Sequence, residues 1–250
     1  VKQSRPDFTL DVDVKLGHGV TALFGPSGAG KSSLLNLIAG LAQPDSGRIR
    51  IGSESLFDSK AKINLAVHKR RIGYVFQDAL LLPHLSVRNN LRYGFRHGGM
   101  EFSSIVEFLG LSALLERRPA TLSGGERQRV SIGRALLSAP RLMLMDEPLA
   151  SLDMARKREI FPYIEQLQNK FGIPVVLVSH AIEEVARLAQ HVVIMRDGKA
   201  VAQGSTQAVM NLPGAHVSRF EKTSILTAKP ASYESAYGLT TLSHPAGNIS

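Results

Sequence analysis

The sequence predicts an α/β fold in which a mostly parallel sheet is covered by helices on both faces. Five short apolar runs, most of them rich in β-branched residues, recur along the chain, and stretches with helical periodicity separate them. A glycine-rich loop follows the first run, an arrangement typical of phosphate-binding α/β folds. The 250 residues, 44% of them hydrophobic, suffice for a sizeable buried core.

The predicted strands consist almost entirely of apolar residues, as expected for strands buried on both faces. They are residues 20–24, 72–76, 142–145, 175–178 and 192–195. Apolar positions three and four apart predict helices at residues 32–41, 125–137, 156–171 and 181–189. The last strand is followed by residues 196–199, Arg-Asp-Gly-Lys, which predict a hairpin turn. Residues 85–137 contain no strand pattern, so we expect a helical subdomain inserted there.

Composition and charge exclude several classes of protein. The absence of cysteine excludes disulfides, thiolate metal sites and a cysteine nucleophile. No stretch approaches the roughly 20 apolar residues that cross a bilayer. The net charge of +9 suits an anionic partner, but the basic residues are scattered among acids, and even the densest cluster, residues 68–71, is interpreted as solvated surface. No nucleic acid is therefore predicted as a partner.

Residues 25–32 match the phosphate-binding pattern G-x-x-x-x-G-K-[ST], between a predicted strand and a predicted helix. In this pattern backbone N–H groups and the helix N-terminus surround the phosphates. Lys31 would reach the β and γ phosphates, and the Ser32 hydroxyl would bind Mg²⁺. The predicted nucleotide-binding residues of this segment are Gly25, Pro26, Ser27, Gly28, Ala29, Gly30, Lys31, Ser32 and Ser33.

Further polar residues follow the other parallel strands, whose carboxyl ends share one edge of the sheet. Asp146 and Glu147 follow one strand, and we expect Asp146 to bind the metal and Glu147 to orient the attacking water. Gln77 and His180 follow two more strands. Each alone has a structural alternative as a helix cap, a core residue or a surface side chain. Together with the phosphate loop, the acidic pair predicts a nucleoside triphosphatase.

Two predicted helix starts carry candidate functional residues. Ser123 is expected to be the N-cap of one helix, and the N–H groups of Gly124 and Gly125 would face an anion. A plain capped helix is the alternative, but in this chain we interpret the segment as a second phosphate site. Asp153 is by default the N-cap of the helix that begins near Arg156.

The order of these segments resembles the ATP-binding subunits of ABC transporters over nearly the whole chain. The resemblance implies a P-loop ATPase of the ABC type that uses ATP and Mg²⁺, with catalytic roles for Glu147 and His180. It implies further nucleotide contacts from Gln77, Ser123, Gly124, Gly125 and Asp153. The metal contacts that it implies come from Ser32, Gln77 and Asp146.

The resemblance also implies a set of partners. Two chains would form a head-to-tail homodimer, in which Ser123 and Gly125 of one chain face the ATP held by the other. Integral membrane permease subunits would bind the dimer at the cytoplasmic face of the bacterial inner membrane, and a periplasmic oxyanion-binding protein would act indirectly. The family usually stacks adenine on an upstream aromatic residue. Phe8 is the only aromatic candidate here, and its spacing looks short, so we do not assign it.

Other residues resemble the ATPases of molybdate importers. They are residues 70–79, 87–94, 156–159 and 162–163. Residues 224–226 resemble the start of that group's C-terminal oxyanion-binding β domain. We therefore expect an ABC ATPase domain over residues 1–221 and an incomplete β domain over residues 222–250. ATPases of sulfate, iron or polyamine importers share the main motifs and stay open as alternatives, as does a soluble ABC ATPase acting on nucleic acid or the ribosome.

Overall fold

The computed structural model describes residues 1–95, 99–211, 229–234, 239–244 and 247–249. The chain divides into two compact units, Val1–Thr206 and Gln207–Ser250. The domain boundary predicted between residues 221 and 222 lies outside the described residues, so it stays a prediction. In the described part of the chain, no helix has the length and apolar character needed to cross a membrane.

The described elements alternate between strands and helices. The strands are β1 (Lys2–Arg5), β2 (Phe8–Asp11), β3 (Val20–Phe24), β4 (Arg48–Ile51), β5 (Glu54–Asp58), β6 (Ile63–Asn64), β7 (Ile72–Val75), β8 (Leu142–Asp146), β9 (Val175–Ser179), β10 (His191–Arg196), β11 (Lys199–Ser205), β12 (Lys229–Glu234), β13 (Leu239–His244) and β14 (Gly247–Ile249). The α-helices are α1 (Lys31–Ala39), α2 (Val87–Tyr93), α3 (Phe102–Phe108), α4 (Gly124–Leu137), α5 (Met154–Phe171), α6 (Ile182–Leu188) and α7 (Thr206–Met210).

A six-stranded sheet in the order β11-β10-β3-β9-β8-β7 forms the centre of the first unit. Strands β7, β8, β9, β3 and β10 are parallel, and β11 pairs with β10 in the antiparallel sense. The five parallel strands are the five predicted ones, with bounds that differ by at most one residue, so the predicted α/β class is confirmed. Asp197 and Gly198 both have positive φ, 48° and 75°, and close the predicted hairpin between β10 and β11.

Burial on both faces explains why the central strands are almost entirely apolar. Strands β3 and β9 are buried along their whole length. On one face, Leu23 and Val176 of the sheet belong to the same buried cluster as Leu35 of α1. This packing fixes α1 against the sheet, so its N-terminus lies at the carboxyl end of β3. Both halves of the predicted phosphate site therefore start from rigid elements.

Small antiparallel sheets near the N-terminus were not predicted from the sequence. Strand β1 pairs with β2, and β4, β5 and β6 form a separate sheet. These strands are two to five residues long, and all of them contain exposed positions beside any partly or fully buried ones. Because they contain no long apolar run, their pattern differs little from that of a loop.

The segment between β7 and β8 contains α2, α3 and α4 but no strand among its described residues, which exclude 96–98. In the second unit, β12, β13 and β14 form an antiparallel sheet. Both observations agree with the architecture expected from the sequence. The bounds predicted for the helical subdomain and for the C-terminal β domain stay predictions.

Arg70 departs from the solvated surface predicted for the basic cluster, because its side chain is buried at the C-terminal end of α1. Its guanidinium donates to the carbonyl oxygens of Leu37 and Ile38, both at 2.8 Å. It also donates to the carbonyl of Leu65 at 2.8 Å and to Asn64 Oδ1 at 2.9 Å. The last carbonyls of a helix have no partner within the helix, and a cation there is favourable. Arg70 therefore acts as a buried C-terminal cap of α1.

We expect Arg70→Ala to lower the free energy of unfolding by about 3 kcal/mol or more, since buried acceptors would lose a charged donor. The measurement is urea-induced unfolding of both proteins. Arg71→Ala is the matched control, because this neighbouring side chain is exposed and makes one hydrogen bond, to the Ala139 carbonyl at 3.0 Å. It should cost less than about 1 kcal/mol. Equal losses for the two variants would contradict the capping role.

Candidate nucleotide-binding and hydrolysis site

The phosphate loop joins β3 to α1 and has a backbone that only glycine adopts easily. A Cβ atom on Gly25 would collide with the main-chain oxygen of Met195. Gly30 is the N-cap of α1 and has a φ of 94°. Among the described residues, no side chain caps the helix by accepting a hydrogen bond from its first N–H groups. The first N–H groups of a helix have no acceptor within the helix, and they carry partial positive charge. The loop therefore leaves these donors available to an anion.

Lys31 is buried at the start of α1, with an exposed fraction of 6%. Its ammonium donates to the carbonyl oxygens of Gly25 and Pro26, both at 2.8 Å. Burial lowers the pKa of Lys31, and the carboxylates of Glu147 and Asp146 oppose that shift. A buried cation held by neutral carbonyls gains most from an anionic ligand, which favours phosphate binding beside it.

Asp146 lies at the end of β8, where its two carboxylate oxygens have different donors. Oδ1 accepts from Ser32 Oγ at 2.9 Å, and Oδ2 lies 3.3 Å from the hydroxyl of Tyr74. Burial raises the pKa of Asp146, while the hydrogen bonds from Ser32 and Tyr74 oppose the rise. A partly buried carboxylate in this position gains from a nearby cation.

The oxygens of Ser32 and Asp146 fit Mg²⁺, which prefers hard oxygen ligands. Among the described residues, no cluster of three or more His, Asp or Glu side chains could hold a metal ion by itself. This donor set also suits Mg²⁺, because that ion usually takes one or two carboxylates and completes its shell with water and substrate phosphates.

Glu147 follows Asp146 in a strained backbone conformation, with a φ of 46°. Its N–H donates to the carbonyl of Val178 on the neighbouring strand at 3.1 Å, which fixes the turn. Its Oε2 lies 3.3 Å from Nδ1 of His180, whose side chain is 62% exposed. A non-glycine residue in this region costs energy and often marks a functional position. The strand ends thus bring together a carboxylate and an imidazole, as expected from the sequence.

A single cleft contains the loop residues and Glu147. Its lining consists of Arg5, Phe8, Ser27, Gly28, Gly30, Lys31, Ser32, Ser33 and Glu147. Phe8 lies against the loop, because a Cβ on Gly30 would be 2.7 Å from its ring. The structure therefore places the unassigned aromatic candidate at the site. Arg5 and Tyr74 were not singled out from the sequence, since a lone Arg at the end of a short strand and a Tyr within a strand have no distinctive pattern.

Ser123 is the N-cap of α4, as predicted, within a complete capping box. Its hydroxyl accepts from the N–H of Glu126 at 3.2 Å, and Glu126 Oε2 accepts from the N–H of Ser123 at 2.6 Å. The hydrogen bond from the Ser123 N–H lowers the pKa of Glu126. A Cβ on Gly124 would lie 3.0 Å from the side chain of Leu152, and Gly125 lies near Arg156.

Asp153 is the N-cap of α5, as predicted, and its Oδ1 accepts from the N–H of Arg156 at 2.9 Å. Gln77 lies two residues beyond the end of β7. The lining of the cleft around Lys31 includes none of Gln77, Asp146, His180, Ser123, Gly124, Gly125 and Asp153. Asp146 and His180 nevertheless contact two lining residues, Ser32 and Glu147 respectively. The described part of the chain thus brings the phosphate loop, the acidic pair and His180 together, and it leaves the α4 and α5 starts outside that cleft.

The fold and the site together define the class of protein to which the chain belongs. Together, an anion cradle, a buried lysine, a hydroxyl–carboxylate pair and a carboxylate beside a histidine can bind a nucleoside triphosphate and position water for phosphoryl transfer. With the helical segment and the glycine pair of its capping box, this combination is that of an ATP-binding cassette ATPase.

The comparisons with known proteins agree with this class. A family model described as "ABC transporter" matches residues 9–150, and the chain belongs to this family of ATPases. A curated relative from Paramagnetospirillum magneticum, described as "Molybdenum import ATP-binding protein ModC", is 45% identical over 100% of this chain and 70% of its own length.

Solved structures of two cassettes are also similar. One is cbiO1 from Clostridium perfringens, part of the ABC transporter complex cbiONQ, with a TM-score of 0.73, 27% identity and coverage of 83% of this chain and 87% of that one. The other is the ATP-binding cassette MJ0796, in a dimeric post-hydrolysis state with ADP and Pi. Its TM-score is 0.66 at 26% identity, and the match covers 82% of this chain and 95% of that one. The predicted family and activity are confirmed.

Proposed function

We propose that this chain is the ATP-hydrolysing subunit of an importer that takes up molybdate through a membrane permease. The observation that carries the proposal is a cleft lined by Lys31, Ser32 and Glu147, with Asp146 hydrogen-bonded to Ser32 and His180 beside Glu147, which supports ATP hydrolysis. The choice of molybdate rests on the curated relative, which matches the whole length of this chain.

In this proposal the phosphate loop binds and orients ATP. The N–H groups at the start of α1 and the ammonium of Lys31 contact the phosphates, and the carbonyls that Lys31 now contacts lie within the same loop. Ser32, Asp146 and Gln77 would hold Mg²⁺, which supplies charge neutralisation of the phosphates. Phe8 and Arg5 line the part of the cleft beyond the loop, a suitable position for the base.

Glu147 positions the attacking water and accepts its proton at Oε2. His180 holds that carboxylate from the side, at the observed separation of 3.3 Å between Nδ1 and Oε2, and would contact the γ-phosphate. The neighbouring strands β8 and β9 fix the two residues relative to each other. Rate acceleration thus comes from alignment and charge stabilisation rather than from a covalent intermediate.

A second copy of the chain completes the site. Ser123, Gly124, Gly125 and Asp153 lie outside the cleft of their own chain, yet Ser123 and the glycines offer N–H groups at the start of α4. A head-to-tail homodimer would place them against the ATP bound to the partner. The dimeric state of the similar cassette MJ0796 supports this arrangement.

The permease would bind next to the segment that follows Gln77. Leu80 and Tyr93 are apolar residues with exposed fractions of 57% and 73%. Arg134 donates to the carbonyl oxygens of Ala79 and Leu80, at 3.2 and 3.0 Å, and so supports the segment that carries Leu80. Buried Asn90 holds the same segment through hydrogen bonds to Leu82. Exposed side chains such as Leu80 and Tyr93, next to a segment held in this way, suit contact with a helix of a membrane partner.

In this proposal the chain is a peripheral protein at the cytoplasmic face of the bacterial inner membrane. A periplasmic oxyanion-binding protein is an indirect partner, and nucleic acid is not a partner. The ATPase domain would comprise residues 1–221. Residues 222–250 would begin an oxyanion-binding β domain, and the antiparallel strands β12, β13 and β14 support a β-rich unit there.

Uptake by cells tests the proposal directly. In a bacterium from which the gene of this chain is deleted, uptake of labelled molybdate should be lost at limiting concentration. The wild-type chain should restore it and Glu147→Gln should not, whereas sulfate uptake should be unchanged throughout. If the deletion abolished sulfate uptake instead, and the wild-type chain restored it, the chain would be assigned to a sulfate importer. Unchanged molybdate uptake in the deletion strain, with RNA that copurifies with the chain, would favour the soluble ATPase instead.

A further inference from the structure

A buried charged network lies directly behind His180. Glu184, in the first turn of α6, has an exposed fraction of 4%, and its Oε1 forms an ion pair with Lys157 Nζ at 2.8 Å. Its other oxygen, Oε2, accepts from the hydroxyl of Ser179 at 2.7 Å. The same hydroxyl accepts from the N–H of Ala181 at 3.0 Å. The network therefore holds the residues on both sides of His180.

The position of the imidazole depends on this backbone. The side chain of His180 is largely exposed, and its Nδ1 contacts the Glu147 carboxylate. Neighbouring side chains restrict an exposed ring only weakly, so the direction in which it leaves the chain is set by residues 179 and 181. Through Ser179, Glu184 fixes both of these residues. The separation between His180 and Glu147 thus depends on a carboxylate that contacts neither residue.

The other end of the network reaches the start of α5. Lys157 lies in the first turn of this helix, and its N–H donates to the carbonyl of Asp153 at 2.9 Å. Asp153 is the N-cap of α5 and one of the residues proposed to face the ATP of a second copy. A displacement of the α5 start would therefore move Lys157, and through Glu184 it would reach the segment that carries His180.

Stability alone is a weak reason for such a pair. Removing two charges from water costs several kcal/mol per ion, and apolar residues of similar size often stabilise a core as well or better. An ion pair with a further hydrogen bond to Ser179 does, however, restrict geometry, because its bond directions are fixed. The burial of Glu184, paired with the partly buried Lys157, is thus better explained by a requirement for one defined arrangement of residues 179–181.

We propose that Lys157 and Glu184 are positioning residues for ATP hydrolysis, which hold His180 against Glu147 and link it to the start of α5. The inference rests on the proposed role of His180. Neither residue contacts ATP in this proposal, so substitutions should lower kcat and leave nucleotide affinity nearly unchanged.

The test measures single-turnover hydrolysis, steady-state kcat and KM, and binding of a fluorescent ATP analogue. The variants are Lys157→Met and Glu184→Gln, each made in the wild-type chain and in His180→Ala. We expect either substitution to lower the hydrolysis rate about tenfold, a typical cost of misplacing a catalytic group by a fraction of an ångström. KM and the dissociation constant of the analogue should stay within about twofold. In His180→Ala neither substitution should lower the rate further.

Glu165→Gln is the matched control. Glu165 of α5 pairs with Arg187 of α6 at 2.9 Å, so this ion pair joins the same two helices, but both side chains are substantially exposed. Glu165→Gln should keep the wild-type rate. An equal loss in Glu165→Gln would mean that any contact between the helices has this effect, and it would overturn the inference.

Apart from a failure of the proposed role of His180 itself, three other results would overturn the proposal. One is a wild-type rate in both Lys157→Met and Glu184→Gln. Another is an equal loss of rate in the His180→Ala background, which would indicate a general structural role. The third is loss of the folded state in both variants, by circular dichroism, because the pair would then serve stability. If His180→Ala alone retained full activity, the proposed role of His180 would fail, and this inference would fail with it. The proposal of molybdate uptake would still stand, because the uptake experiment tests it separately.

Discussion

Glu147→Gln is expected to bind ATP as the wild-type chain does and to hydrolyse it at least about a hundredfold more slowly, a magnitude typical of a lost general base. The amide keeps the shape of the side chain and one acceptor oxygen near His180, but it cannot take a proton from water. The N–H of residue 147 still donates to the carbonyl of Val178, so the turn should persist. Equilibrium binding of a fluorescent ATP analogue and steady-state hydrolysis give the two quantities.

Lys31→Ala provides the contrast to this variant. Removing the buried ammonium deprives the phosphates of their cation, so both binding and hydrolysis should fall. A Glu147→Gln preparation free of contaminating ATPases that still hydrolyses ATP at the wild-type rate would show that another group activates the water.

Mixing two inactive variants should restore hydrolysis if the site is shared between chains. Lys31→Ala removes the phosphate contact of one chain, and Ser123→Arg blocks the contribution of that chain to its partner. A mixed dimer contains one site with intact Lys31 and intact Ser123. Half of randomly formed dimers are mixed, and each keeps one of its two sites, so activity should reach about a quarter of the wild-type value. The measurement is the hydrolysis rate as a function of mixing ratio.

A mixture of Lys31→Ala with Glu147→Gln is the control for that experiment. Both substitutions affect the same half of the site, so every dimer keeps a defect in both of its sites. This mixture should stay inactive at all ratios. If the first mixture also stayed inactive, although mixed dimers were demonstrated by crosslinking, the shared site would be refuted.

The sequence was sufficient to predict the parallel sheet and the edge at which its functional residues lie. Buried parallel strands appear in the sequence as uninterrupted apolar runs. The spacing of the glycines, lysine and serine in the phosphate loop is rare in other structures. Glu147 and His180 could be placed together because each follows such a strand. The predicted N-caps at Ser123 and Asp153 are also present, since their side chains bond to backbone groups nearby in the sequence.

Contacts between distant segments were not predictable in this way. Tyr74 lies within an apolar strand, and only the pairing of β7 with β8 brings its hydroxyl to Asp146. Arg70 belongs to a basic cluster that looks exposed, yet the end of α1 covers it. The ion pair of Lys157 with Glu184 joins helices separated by a strand. Each of these depends on packing geometry, for which a single sequence contains no periodic signal.

The capping of α1 by Arg70 has a consequence for the accuracy of the catalytic site. The carbonyl of Arg70 also accepts from Arg141 Nε at 2.9 Å, immediately before β8 begins. One residue thus anchors the far end of the helix that starts at Lys31 and adjoins the beginning of the strand that ends at Asp146. Helix α1 is about 13 Å long, so a tilt of about 5° at its anchored end would displace Ser32 by about 1 Å.

Such a displacement is comparable to the errors that cost enzymes a large part of their rate. Because Arg70 contacts both the end of α1 and the residue before β8, a movement of Arg70 would shift both of these points. The accuracy with which Ser32 is placed thus depends on the contacts of Arg70 at the opposite end of α1. Arg70 thus links the elements that carry Ser32 and Asp146 at a point remote from the phosphates.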